Sequence, residues 1–116
     1  KVFNNGNLSR DFTYINDVVE SLIKIIDNHP ESSGNHIYNI GFSHPVGLME
    51  FIRVLEEIIG KKAKKEFLPM QPGDVYQTYA DISKVNRDFG YKPSTSLKQG
   101  MFQFIQWYLS SKNALH

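Results

Sequence analysis

No cysteine occurs in the 116 residues. Disulfides, thiol nucleophiles and cysteine-ligated metals are thereby excluded, and the composition suits a reducing, cytoplasmic setting. No apolar run is long enough to cross a bilayer, and no signal-peptide pattern is visible. Neither sign of charge dominates: 13 Lys and Arg against 12 Asp and Glu leave a net charge of +1. The sequence therefore carries no basic field of the kind that attracts nucleic acid or an anionic membrane, and neither is expected as a partner. Glycine-rich phosphate loops are missing too, both G-x-G-x-x-G and the P-loop. The histidines, His29, His36, His44 and His116, show no metal-ligand spacing, and no serine sits in a G-x-S-x-G elbow. Nothing in the chain reads as a complete active site. Lys1 is not an initiator methionine, which points to processing or to a piece of a longer protein.

What is present is one domain's worth of alternating α and β signals, or a piece of one. Residues 1–4 read as the end of a strand, followed by the turn dipeptide Asn5-Gly6. Arg10 to Ile15 is β-rich. Asn16 reads as the N-cap of a helix reaching about Asn28, with Val18, Leu22, Ile25 and Ile26 on its apolar stripe, Val19 and Ile23 widening it, and Pro30 beyond its end. Residues 36–41 read as a second strand, so that strand, helix and strand form a βαβ unit with room for parallel pairing. A helix over about Leu48–Ile59 ends at Gly60, and Lys61, Lys62, Lys64 and Lys65 follow as a solvated basic run. Asp81 is placed to cap a short helix through Phe89. Ser94, Thr95 or Ser96 is placed to cap a last helix with Leu97, Met101, Phe104, Ile105 and Tyr108 facing the core.

The most specified stretch is Met70 to Lys84. Pro72 fixes φ, Gly73 can take positive φ, and Asp74 follows this defined bend. Asp74 suits either of two tasks: accepting hydrogen bonds from vicinal hydroxyls, or capping its own turn. Arg10, just past the Asn/Gly turn, suits bidentate phosphate binding or an ion pair with Asp11, Asp17 or Asp74. Gln71 and Thr78 flank the same stretch as polar groups that can face a ligand or solvent. Asp11 and Asp17 suggest a carboxylate site, but helix capping and the helix dipole account better for Asn16 and Asp17. Tyr108-Leu-Ser-Ser-Lys112 has the form Tyr-x-x-x-Lys at the C-terminal end, with Tyr108 on the core stripe, and reads as a chance match.

Taken together and in order, Arg10-Asp-Phe-Thr-Tyr-Ile-Asn-Asp-Val-Val19, Tyr38-Asn-Ile-Gly41, Pro69-Met-Gln-Pro-Gly-Asp-Val75, Tyr79-Ala-Asp-Ile-Ser-Lys84 and Gly90-Tyr-Lys-Pro93 resemble the C-terminal part of an extended short-chain dehydrogenase/reductase. The family is that of the NAD-dependent nucleotide-sugar epimerases and dehydratases, and the chain is most similar to UDP-glucuronate 4-epimerases. The resemblance implies an α/β piece: the terminal βαβ of a Rossmann-type sheet plus a small α/β substrate-binding lobe, spanning residues 1–116. It implies that Arg10 binds the diphosphate of a UDP-sugar, Asp74 the uridine ribose, Val2 and Phe3 the uracil, and Gln71 and Thr78 the diphosphate or sugar end. Gln71 stands where galactose-type relatives carry an arginine, and Asn16 replaces the family's usual aspartate.

In such an enzyme hydride passes from C4 of the sugar to NAD and returns to the other face of a rotated 4-keto intermediate. NAD and the catalytic residues belong to an N-terminal domain absent from this stretch, so the chain alone is expected to be catalytically silent. A homodimer is expected of the full-length enzyme. The rival readings are a dehydratase or decarboxylase of the same superfamily and a non-catalytic binding module. Unpaired strand edges and apolar faces should make the isolated chain self-associate. Sedimentation velocity at rising concentration is the check: a growing weight-average mass is expected, and a monomer throughout would refute it.

Overall fold

Two segments far apart in sequence, residues 2–10 and 66–78, run side by side, and the helices are arranged around them. The computed structural model describes residues 1–28 and 34–114. The Val2 N–H donates to the Glu66 carbonyl at 2.7 Å and the Leu68 N–H to the Val2 carbonyl at 2.9 Å, a parallel bridge between Val2 and Phe67. Ser9 makes a second parallel bridge, to Gln77, donating to the Tyr76 carbonyl at 3.0 Å and accepting from the Thr78 N–H at 3.3 Å. Between these bridges the later segment runs from 67 to 77 while the earlier runs only from 2 to 9. The longer path has to bulge, and the bulge holds the Pro72-Gly73 turn.

The earlier segment turns where Asn5-Gly6 predicts. Asn5 and Gly6 sit at φ 50° and 84°, and the Asn7 N–H donates to the Asn4 carbonyl at 2.8 Å. Positive φ at both central residues is the signature that makes Asn-Gly the favoured pair. Gly6 has a further reason to be glycine, because a Cβ there would run into the Met49 side chain. The chain then enters β1 (Ser9–Arg10), which pairs antiparallel with β2 (Val46–Gly47), Ser9 opposite Gly47 and Arg10 opposite Val46.

Helices α1 (Ile15–Asp27), α2 (Leu48–Ile59), α3 (Ser83–Phe89) and α4 (Leu97–Ala114) follow the expected order. Both predicted glycine stops hold: Gly60 and Gly90 are left-handed at φ 73° and 63°. Ser96 is the residue that caps α4. Its N–H donates to Gln99 Oε1 at 3.0 Å while its Oγ accepts from the Gln99 N–H at 3.4 Å, a capping box. α2 packs on α4 and α1 on α3. Val2, Leu8, Val54, Val85, Tyr91, Met101 and Ile105 are buried. Phe12 stacks on Phe51 with ring centroids 4.3 Å apart.

Several expectations are corrected. α1 begins at Ile15, and Asn16 does not cap it. Asp17 is buried because it serves a tertiary contact, accepting from the Thr95 N–H at 3.1 Å and the Thr95 hydroxyl at 3.0 Å at the entry to α4. The βαβ unit is not closed within the chain. Residues 1–4 contribute one bridge before coiling into a 3-10 turn (Phe3–Gly6), and residues 36–41 pair with no strand among the described residues. A parallel strand needs neighbouring strands to satisfy its backbone, and no strand among the described residues lies beside 36–41. Side chains hold that segment instead: Lys84 Nζ donates to the Ile37 carbonyl at 2.9 Å and the Tyr91 hydroxyl to the Gly41 carbonyl at 3.0 Å. The wide stripe of α1 is covered on one side only, leaving Ile15, Val19, Leu22, Ile23 and Ile26 exposed. Pro30, His29 and His116 lie outside the described residues.

In the basic run Lys61, Lys62 and Lys64 are exposed as expected, while Lys65 is half-buried. Lys65 and Lys62 both pair with Glu56 of α2, Lys62 at 3.0 Å, and the Ala63 N–H donates to the same carboxylate at 2.9 Å. Residues 62–65 are thereby tied to α2 just before the chain reaches the Val2 bridge. The Lys65 hydrogen bond, then the Ala63 amide and Lys62, bring the Glu56 carboxyl down to about 2. Its folded pKa lies below the unfolded value of 4.5, so the stabilisation is complete above that pH and is lost as pH falls toward about 2. The Glu56→Gln variant is expected to melt several degrees below wild type at pH 7, with the gap closing below pH 4.5. Thermal denaturation followed by circular dichroism across that window checks it, and a gap independent of pH would contradict it.

Candidate functional site

The two parallel-running segments bring Arg10 and Asp74 together. Arg10 Nη2 donates to Asp74 Oδ1 at 2.7 Å. Arg10 Nη1 donates to the carbonyls of Ser9 at 2.8 Å and Tyr76 at 3.3 Å. The guanidinium is thus gripped from its own strand and from the segment alongside, and both charged side chains keep about a quarter of their surface exposed, 25% for Arg10 and 29% for Asp74. Arg10 Nε and Asp74 Oδ2 bond to no described residue, so each partner retains a free valence toward solvent.

Asp74 reaches this position through its turn. The Asp74 N–H donates to the Gln71 carbonyl at 3.2 Å across Pro72 and Gly73, and Gly73 sits at φ 83°. Proline followed by a residue near +80° is the type II arrangement. Asp74 Oδ1 also accepts from the Val75 N–H at 2.9 Å. The turn cap and the ion pair foreseen as separate possibilities are therefore both realised, on one carboxylate oxygen.

The remaining expected residues fall around this pair. Gln71 is exposed at the head of the turn, its side chain bonded to no described residue. Val2 is buried and its N–H is spent on the bridge to Glu66. Phe3 is half-buried in the adjoining turn. The Thr78 hydroxyl accepts from the Asp11 N–H at 3.0 Å. It lines a polar cavity of about 390 Å³ together with Asp11, Thr13, Asn39 and Tyr79.

Asp11 is the residue whose part sequence reasoning missed. Its Oδ1 accepts from the Phe42 N–H at 3.1 Å, and its Oδ2 accepts from the Ser43 N–H at 3.0 Å and the Ala80 N–H at 3.0 Å. Ser43 adopts φ 60° to present that amide, and its hydroxyl donates to the Ala80 carbonyl. Gly41 lies against the same knot, where a Cβ would overlap the Ala80 methyl and stand 2.8 Å from Asp11 Oδ2. The Tyr91 hydroxyl, pushed up to about 12 by burial and then by the charges of Asp17 and Asp11, stays protonated and donates to the Gly41 carbonyl. The only advance signal was an aspartate beside Arg10, which reads equally well as an ordinary strand residue.

With this geometry in place, the class is an α/β unit that overlays part of a Rossmann-like nucleotide-sugar enzyme. Residues 1–104 match the family model described as GDP-mannose 4,6 dehydratase, and the chain belongs to that family. Among curated relatives, Protein CapI of Staphylococcus aureus is 40% identical over 93% of this chain and 37% of its own length. UDP-glucuronate 4-epimerase 4 of Arabidopsis thaliana is 38% identical over 92% of this chain and 27% of its own. The crystal structure of UDP-glucuronic acid 4-epimerase from Bacillus cereus, in complex with UDP-glucuronic acid and NAD, superposes with a TM-score of 0.76 at 35% identity, covering 92% of this chain and 35% of that one. The chain spans between a quarter and a little over a third of the length of the curated relatives it matches.

The packing around Gly41 carries its own test. Gly41→Ala is expected to destabilise the intact protein by about 1–3 kcal/mol, because either Ala80 or the Asp11 carboxylate has to move. Urea denaturation measures this, and an unchanged midpoint would show that the knot is looser than its distances.

Proposed function

We propose that this chain supplies the nucleotide-gripping side of an NAD-dependent nucleotide-sugar 4-epimerase that interconverts UDP-glucuronate and UDP-galacturonate. The observation that carries the reading is the 2.7 Å pairing of Arg10 with Asp74, two charged groups that both remain partly exposed. A nucleoside diphosphate presents an anionic diphosphate and, beside it, a sugar with vicinal hydroxyls. A guanidinium with a free Nε suits the first, and a carboxylate with a free Oδ2 suits the second. While no nucleotide is bound the two charges satisfy each other, so neither is left partly buried and unpaired. Phe3 offers a flat apolar face to the base beside Val2, and Gln71 stands toward the diphosphate or sugar, while the Thr78 hydroxyl is taken by the Asp11 N–H.

The relatives named for UDP-glucuronate epimerisation support the choice of sugar. The chain holds no Gly-rich strand-to-helix turn of the kind that takes a dinucleotide. NAD and the catalytic groups belong to an N-terminal domain, and the full-length enzyme works as a cytoplasmic homodimer. A second reading, a dehydratase, is favoured by the description of the matching family model.

Calorimetric titration of the intact protein tests the nucleotide grip. Arg10→Gln is expected to weaken UDP binding about tenfold or more while affecting uridine little; Asp74→Asn is expected to weaken both ligands. UDP affinity unchanged by either substitution would refute the nucleotide grip. Incubation with UDP-glucuronate and NAD is expected to give UDP-galacturonate, whereas a deoxy sugar product would select the dehydratase.

A further inference from the structure

We propose that Asp11 is the positioning residue that aims Arg10, an inference that rests on the nucleotide-binding reading above. Asp11 has no cation among its bonded partners. Its carboxylate is occupied instead by three backbone amides from two separate segments, those of Phe42, Ser43 and Ala80, while its own N–H is held by Thr78. Four anchors on one residue fix both its backbone and its side chain. Successive side chains of an extended chain point to opposite sides. With Asp11 drawn toward residues 42–43 and 80, Arg10 is left facing the opposite way, toward Asp74 and Tyr76.

The same anchors act on Arg10's acceptors. Residues 76–80 supply in turn the Tyr76 carbonyl for Arg10, the Gln77 bridge to Ser9, the Thr78 hydroxyl for the Asp11 N–H and the Ala80 amide for the Asp11 carboxylate. Asp11 therefore clamps the segment that carries the guanidinium's partners against the strand that carries the guanidinium. The cost accepted at Ser43, a non-glycine residue at φ 60°, fits a contact whose geometry is enforced. Asparagine keeps one acceptor oxygen, so whichever way its amide turns, its NH2 faces either the Phe42 N–H or those of Ser43 and Ala80. At least one of the three amides is left without an acceptor, and the clamp loosens.

The test is a double-mutant cycle on the intact protein, with UDP and uridine as probes. Asp11→Asn is expected to lower the ratio of UDP to uridine affinity about tenfold in the wild-type background and to have no further effect in an Arg10→Gln background. Asp17→Asn, which removes a buried carboxylate that also binds a backbone amide but lies at the entry to α4, is expected to lower the melting temperature without moving that ratio. Thr78→Val deletes one anchor, keeps the carboxylate, and is the milder variant should Asp11→Asn fail to fold. It is expected to shift the ratio in the same direction, again only when Arg10 is present. A ratio unmoved by Asp11→Asn or Thr78→Val, or effects that simply add to those of Arg10→Gln, would overturn the positioning role while leaving the nucleotide reading intact. A ratio unmoved by Arg10→Gln itself would overturn both.

Discussion

The structure depends on one lateral constraint: residues 2–11 have to lie against residues 66–80. The two backbone bridges, Val2 to Phe67 and Ser9 to Gln77, set the direction, and the Asp11 carboxylate closes the far end by taking the Ala80 amide. Much else follows from it. α2 sits between the two segments in sequence, and Glu56 recovers the chain after α2 by binding Lys62, Ala63 and Lys65 before the first bridge forms. The surplus length between bridges becomes the Pro72-Gly73 turn, and that turn delivers Asp74 to Arg10. A long-range ion pair is thus set up by backbone registration, with the charged side chains making their contact on a frame already in place.

The parts legible in the sequence are those with local causes. Asn5-Gly6, Gly60 and Gly90 were readable because positive φ is a property of single residues. α2 was readable to its ends because its apolar stripe, its glycine stop and its packing on α4 all agree. Where tertiary demand competes with local preference, the sequence misleads. Asp17 has the composition of a helix-start acid yet is turned inward to Thr95. Glu56 stands on a helix with many charged neighbours, and only the fold shows that it collects two of the four lysines beyond Gly60. The Arg10–Asp74 pair was foreseen as one of several alternatives, since spacing along the chain cannot select among three aspartates. Asp11 was the least legible of all, because its partners are backbone amides and backbone amides leave no trace in residue identity.

The overall shape adds a separate constraint. The radius of gyration is 17.4 Å, against about 13 Å for a closed domain of similar size. The excess coincides with the outward face of α1 and with residues 36–41, which join no sheet among the described residues. These two features adjoin in sequence, and they are the two members of the βαβ expectation that find no sheet here. The hydrophobic periodicity of α1 identifies the helix, but the burial that its wide stripe suggests is realised on one side only among the described residues. Along α4, Phe104, Trp107 and Tyr108 stay exposed although Met101 and Ile105 are buried, so the stripe is again wider than the cover this chain provides.

The bonds that hold the site are all made within the chain, and this has a physical consequence. Arg10, Asp74 and Asp11 are held by contacts wholly internal to the chain, so their geometry does not wait on whatever covers α1. A guanidinium bonded to two carbonyls and a carboxylate has lost most of its rotational freedom before any ligand arrives. Binding to such a group costs less ordering entropy than binding to a free arginine, which is the advantage of preorganisation. The charge balance works in the same direction. Asp74 offsets the charge of Arg10. Under the proposed function a diphosphate would share the guanidinium while the carboxylate turned to sugar hydroxyls, and discrimination would favour a ligand that supplies both groups at once.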